Sequence, residues 1–104
     1  MIYMVDIDNT ICYTNASDYE NSKPIQERID HFNKLYDEGN EIHYWTARGA
    51  NSHLDWRQFT ERQLEEWEVK YTTVRFHKPH YEIWIDDKAI NVNEYFKQIK
   101  TNTE

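Results

Sequence analysis

Asp6 and Asp8 stand two residues apart at the end of a short apolar run, Ile2 to Ile7. Thr46 follows a second such run, Ile42 to Trp45, and Asp86 and Asp87 follow a third, Tyr81 to Ile85, with Lys78 just before it. An isolated aspartate after a strand is most simply a turn residue or a helix cap. The joint pattern asks for more. Two carboxylates a few ångströms apart repel by roughly 4 kcal/mol at an effective dielectric near 20. Four gathered at one place need a cation among them. Oxygen-only donors suit a hard ion, and Mg²⁺ takes one or two carboxylates together with water and a substrate phosphate. The Lys78 ammonium adds a second positive charge. Such a set is suited to handling a phosphoryl group.

These residues converge only if the elements beneath them are arranged to make it so. Ile2 to Ile7, Ile42 to Trp45 and Tyr81 to Ile85 read as buried strands, and Thr72 to Phe76 as a short edge strand. Residues 9 to 23 are polar and read as a loop or small flap. Pro24 is suited to a helix start. Ile25, Ile29, Phe32, Leu35 and Tyr36 recur at helical spacing, and Gly39 can end that helix. Trp56, Phe59, Leu64 and Trp67 mark a second helix with Asn51 or Ser52 as cap. Val92, Tyr95, Phe96 and Ile99 mark a third, with Asn91 as cap. Alternating strands and helices predict an α/β fold: a three-layer Rossmann-like sandwich, mainly parallel, with helices on both faces. In such a sheet the carboxyl ends share one edge, where ligands bind.

The stretch Met4-Val5-Asp6-Ile7-Asp8-Asn9-Thr10 resembles the DxDxT motif of the haloacid dehalogenase (HAD) superfamily. Thr46, Lys78 and the Asp86-Asp87 pair resemble its second, third and fourth motifs, in the right order, over residues 2 to 87. The resemblance implies a Mg²⁺-dependent phosphatase. Asp6 would be the nucleophile and form an aspartyl-phosphate. Asp8 would be the general acid and then the base. Thr46 and Lys78 would hold and neutralise the phosphoryl oxygens. The metal site would take a side-chain oxygen of Asp6, the backbone carbonyl of Asp8 and, as direct ligand, Asp86 or Asp87, the other of the pair binding through water or orienting Lys78. Asn9 stands where many relatives carry glycine, and it tolerates left-handed backbone. Asn9 and Arg48 are further candidates for contact with substrate. Arg48 lies beside the mouth, where it meets either a substrate anion or an acidic side chain.

The stretches from Thr10 to Pro24 and from Thr46 to Lys78 leave no room for a cap domain. Residues 1–104 therefore read as one HAD-like domain with an open mouth, and a homo-oligomer that closes it is expected. The wording around Lys23-Pro24, Thr46-Ala47-Arg48-Gly49, Lys78-Pro79-His80 and Asp86-Asp87-Lys88 resembles small HAD proteins of capsule and surface-carbohydrate synthesis, which implies a sugar phosphate substrate. The alternatives are a nucleotide or polynucleotide-end phosphatase and a non-catalytic binding module on the same fold.

Composition narrows these choices. The formal net charge is -7, which opposes long nucleic acids. Mean hydropathy is -1.02, yet aromatics make up 15% of residues, so rings must build much of the core. The single cysteine, Cys12, cannot form an intrachain disulfide and reads as a small buried residue; this suits a cytoplasmic setting. No apolar run reaches the ~20 residues that span a bilayer, and no signal peptide is legible at the N-terminus. His77 and His80 flank Lys78-Pro79, but without a further clustered ligand they are weak grounds for zinc.

Overall fold

The structure is a computed structural model that describes residues 1–50, 52 and 54–103. Strand β1 (Ile2–Val5) leads into a small hairpin, β2 (Cys12–Tyr13) and β3 (Lys23–Pro24), which carries a one-turn 3₁₀ segment at Tyr19–Asn21. Helix α1 (Gln26–Asp37) returns the chain to β4 (Glu41–Trp45). Helix α2 (Arg57–Glu66) leads to β5 (Thr73–Arg75), and α3 (Val92–Thr103) ends the fold. The main sheet has the order β1-β4-β5 and is parallel throughout, with Tyr3 opposite Ile42 and Tyr44 opposite Val74. The α/β class is therefore as expected.

Alternation along the strands decides which side of the sheet is buried. Val5, Ile42 and Tyr44 face the helices and are buried against Ile29, Phe32 and Leu64, with Tyr3 and Val74 packed at the margin. Both α1 and α2 cover this one face. Asn33 of α1 donates to the Glu68 carbonyl beyond α2 (2.8 Å), and Tyr36 of α1 shares a groove with Glu61 and Glu65 of α2. The strand–helix alternation predicts helices on both faces, but two successive right-handed crossovers in one direction put α1 and α2 on the same side. On the other side Ile2 and Met4 are 67% and 52% exposed.

Helix ends follow local chemistry. Gly39 adopts φ +99°. Its N–H donates to the Tyr36 carbonyl and that of Asn40 to Leu35, which satisfies the last turn of α1 in a Schellman pattern. Pro24 belongs to β3 instead of opening α1, which starts two residues later, because the hairpin claims it. Ser52 does not cap α2, which starts at Arg57, and Asn51 lies outside the described residues; the Asp55 carboxylate accepts from the Arg57 N–H (3.0 Å). Asn91 does cap α3, accepting from the Asn93 N–H (2.9 Å).

One expected element is missing. Tyr81 to Ile85 forms no strand, and every residue from Pro79 to Asn91 is exposed. Ile83 is 79% and Ile85 93% exposed. The apolar run there is real, but among the described residues no strand pairs with the segment.

Beyond it, α3 docks on α1 through rings. Tyr95 stacks on Phe32 (6.0 Å) and Phe96 meets His31 edge-on (5.3 Å). His31 Nε2 lies 2.8 Å from the Tyr95 hydroxyl. Burial, and after it the charge of Lys34, hold the His31 imidazole below its ordinary range, with Glu38 opposing. A histidine depressed in the folded state contributes fully above its unfolded value of 6.5 and loses that contribution as pH falls through it. Lowering the pH from about 8 to about 5 should therefore weaken the fold, and His31→Gln should lose less over the same interval. Urea midpoints of both proteins at the two pH values check this.

Candidate active site

Where β1 ends, the chain makes a tight turn. Thr10 and Ile11 both donate N–H groups to the Ile7 carbonyl (3.1 and 3.0 Å). Asn9 takes the left-handed conformation this turn needs, with φ 62°, and its Oδ1 accepts from the Thr14 N–H (3.1 Å). The turn leaves Asp6 and Asp8 at the carboxyl edge of the sheet, in a pocket of about 220 Å³. Tyr19, Arg48, Lys78 and His80 line it with them. Three of the non-glycine residues with left-handed backbone, Asn9, Ala16 and His77, lie in or beside this lining. Strain of this kind is held in place where surrounding contacts over-determine it.

Asp6 faces Lys78. The ammonium nitrogen lies 3.5 Å from Oδ1, and the Thr10 hydroxyl donates to Oδ2 (3.4 Å). Burial pushes the Asp6 carboxyl above its ordinary range; Lys78 and the Ile7 N–H oppose this, and Asp8 adds to it. Lys78 is anchored to the rim by its own N–H, which donates to the Thr46 carbonyl (3.1 Å). Its ammonium also sits over the ring of Tyr81 (5.3 Å).

Asp8 is held by a buried arginine. Arg48 Nε donates to Oδ2 (3.0 Å) and Nη2 to Oδ1 (2.8 Å). Such a two-pronged pair fixes direction as well as distance. Arg48 Nη1 donates to the Thr60 hydroxyl and the side-chain amide oxygen of Gln63, both on α2 (3.1 and 2.8 Å), and the guanidinium lies 4.7 Å from the Tyr19 ring centre. The Thr14 hydroxyl donates to Asp8 Oδ1 at 2.6 Å. Backbone geometry places the arginine: its N–H donates to Thr46 Oγ1 (3.1 Å), and Gly49 turns away with φ 84°. A Cβ at Gly49 would collide with the Leu54 carbonyl oxygen.

The expected site is thus half assembled within one chain. Asp6, Asp8, Lys78 and Arg48 come together. Arg48 meets the acid Asp8 and is spent on protein partners, its side chain fully buried. Thr46 lies beneath the rim, 1% exposed and outside the pocket lining, where it shapes the turn into Arg48. Asn9 secures the hairpin and does not line the pocket. Asp86 and Asp87 do not line it either, and both are exposed. The Lys88 N–H donates to Asp86 Oδ1 (2.7 Å), and this bond first, then Asp87, holds the Asp86 carboxyl below its usual range. The expected gathering of four carboxylates fails because their strand has no seat on the sheet. Among the described residues no group of three His, Cys, Asp or Glu side chains is placed to hold a metal.

Thr14, Tyr19, Thr60 and Gln63 were not legible as site residues. Each acts through Arg48 or Asp8, and nothing in sequence spacing links a flap at 14–19 to a helix at 60–63. Cys12 is buried as expected, and burial raises its thiol, which keeps it unreactive.

No family model and no curated protein matches the chain. Among solved structures, the crystal structure of an MCSG target protein from Vibrio cholerae is similar to it, with a TM-score of 0.80. The match covers 99% of this chain and 98% of that one, at 24% identity. At that identity the likeness establishes a shared fold. No helix among the described residues is long and apolar enough to cross a membrane.

Removing one partner of a buried ion pair leaves the other uncompensated. Arg48→Met should cost about 3 kcal/mol of unfolding free energy. The double variant Arg48→Met/Asp8→Asn should recover part of that loss. Urea unfolding of the single and double variants measures both values.

Proposed function

We propose that this chain is a phosphomonoester hydrolase of the HAD type, built on a reduced HAD-like core without a cap, that works through an aspartyl-phosphate on Asp6. One observation carries the reading: Asp6 and Asp8 share a pocket at the carboxyl edge with Lys78, whose ammonium lies 3.5 Å from Asp6. A carboxylate attacks phosphorus only if the negative charge around it is offset, and Lys78 supplies that offset. In the first step an Asp6 oxygen bonds to phosphorus. The bond to the leaving oxygen breaks, and Asp8 gives that oxygen a proton. In the second step water attacks phosphorus, Asp8 takes its proton, and the Asp6–phosphorus bond breaks to release phosphate and restore Asp6. Arg48 aims Asp8 in both steps.

Mg²⁺ belongs to this proposal as the ion that would shield the substrate phosphate. The pocket of a single chain does not fit the expected ion site. Asp86 and Asp87, one of which is the expected direct ligand, lie outside it. The open mouth and the charge of -7 favour a small phosphorylated metabolite such as a sugar phosphate over a nucleic-acid end.

The buried Asp8–Arg48 pair favours a second reading, a non-catalytic binding module on the same core, because a carboxylate so engaged is poorly placed to exchange protons. Turnover decides between them. With Mg²⁺ the protein should release phosphate from an aryl phosphate, and Asp6→Asn should lower the rate by about 10³-fold or more. A wild-type protein inert across a phosphomonoester panel would leave the binding module. Asp6→Asn also removes a carboxylate that burial disfavours, so its Tm near neutral pH without divalent ions should rise. The gain over wild type should shrink as pH falls and Asp6 takes up its proton, which thermal melts across that range would show.

A further inference from the structure

The outer edge of β1 and the exposed stretch 79–91 are complementary. β1 hydrogen-bonds to β4 on one side, and among the described residues no strand pairs with its other side. An open edge of this kind is a template for another strand. Ile2 and Met4 beside it are largely exposed. The same chain carries Tyr81 to Ile85, an apolar segment with strand patterning: Trp84 meets Trp45 edge-on at the rim (6.0 Å), while Ile83 and Ile85 are 79% and 93% exposed.

The segment cannot reach that edge within its own chain as a parallel strand. β5 ends at the carboxyl edge on the far side of the sheet, and the N–H of Lys78 ties the following residues to that rim. A parallel strand must start again at the amino edge, beyond β4 and β1. Such crossovers take a dozen or more residues. The chain has five, Phe76 to His80.

We infer that two copies of this chain exchange the segment Tyr81–Asp87, each laying it along the outer edge of the other's β1 and parallel to it. The exchange covers Ile83 and Ile85 and satisfies the open strand edge in both copies. Its direction matters. A strand running parallel to β1 ends at the carboxyl edge and delivers Asp86 and Asp87 to the mouth that holds Asp6 and Asp8. The carboxylates missing from the single-chain pocket then come from the second copy. The delivery of Asp86 to a working site rests on the phosphatase reading; the exchange of strands does not. Helix α3 meets the same chemistry either way, since the Tyr95–His31 contact forms on the α1 of either copy.

Sedimentation equilibrium of the full chain at micromolar concentration tests the exchange. Wild type should have twice the monomer mass of 12.8 kDa. Ile83→Lys/Ile85→Lys should sediment as a monomer with unchanged far-ultraviolet circular dichroism, because both residues are exposed in the single chain. A dozen glycine and serine residues inserted between His80 and Tyr81 should also yield monomer, by letting the segment return to its own β1. A monomeric wild type, or a dimer that survives both changes, would overturn the inference. Mixing separately inactive Asp6→Asn and Asp86→Asn proteins, unfolded and refolded together, tests the delivery. One intact site per mixed dimer should restore about a quarter of wild-type phosphate release. An active wild type whose mixture stays dead would refute delivery of Asp86. An inert wild type that is still dimeric would remove the phosphatase reading and leave the exchange standing.

Discussion

A guanidinium buried beneath the sheet's carboxyl edge holds that end of the molecule together. Arg48 is 4% exposed, and desolvating its charge is tolerable only because its donors meet acceptors. Those acceptors come from two parts of the chain: Asp8 after β1, and Thr60 and Gln63 on α2. The Tyr19 ring covers the guanidinium, and the Gln63 side chain donates to the Tyr19 carbonyl at 2.9 Å. One residue thus couples the first strand, the hairpin, the loop after β4 and the second helix. Their relative placement is what makes the mouth a defined pocket.

The two aspartates at that mouth live under different conditions. Asp8 is locked by hydrogen bonds, so its position is set and its charge is answered. Asp6 has one ammonium neighbour, and burial raises its carboxyl. The environment of each arises from which neighbours face it, not from residue type.

The sheet is small for what it carries. Three strands with helices on one face leave an open edge at β1 and leave Ile2 and Met4 exposed. A chain of 104 residues has little core to spare, and unpaired strand edges invite a partner. The exposed stretch after Lys78 has the pattern to fill that edge and too short a connection to do so at home.

Much of this was legible in the residues themselves. The strands β1 and β4, the three helices and the glycine that ends α1 follow from apolar spacing and backbone freedom, which are local properties. So does the presence of Asp6, Asp8 and Lys78 at the carboxyl edge, because strand direction puts strand ends there. What tertiary structure decided was everything that depends on neighbours distant in sequence. It paired Arg48 with Asp8 and placed both helices between strands on one face. It also left Tyr81 to Ile85 uncovered, since the pattern of a buried strand states what a segment needs and not whether its own chain can reach it. Periodicity records the preference of a side chain for an apolar place, whereas the length of the connection and the pairing already used by β4 determine whether that place exists.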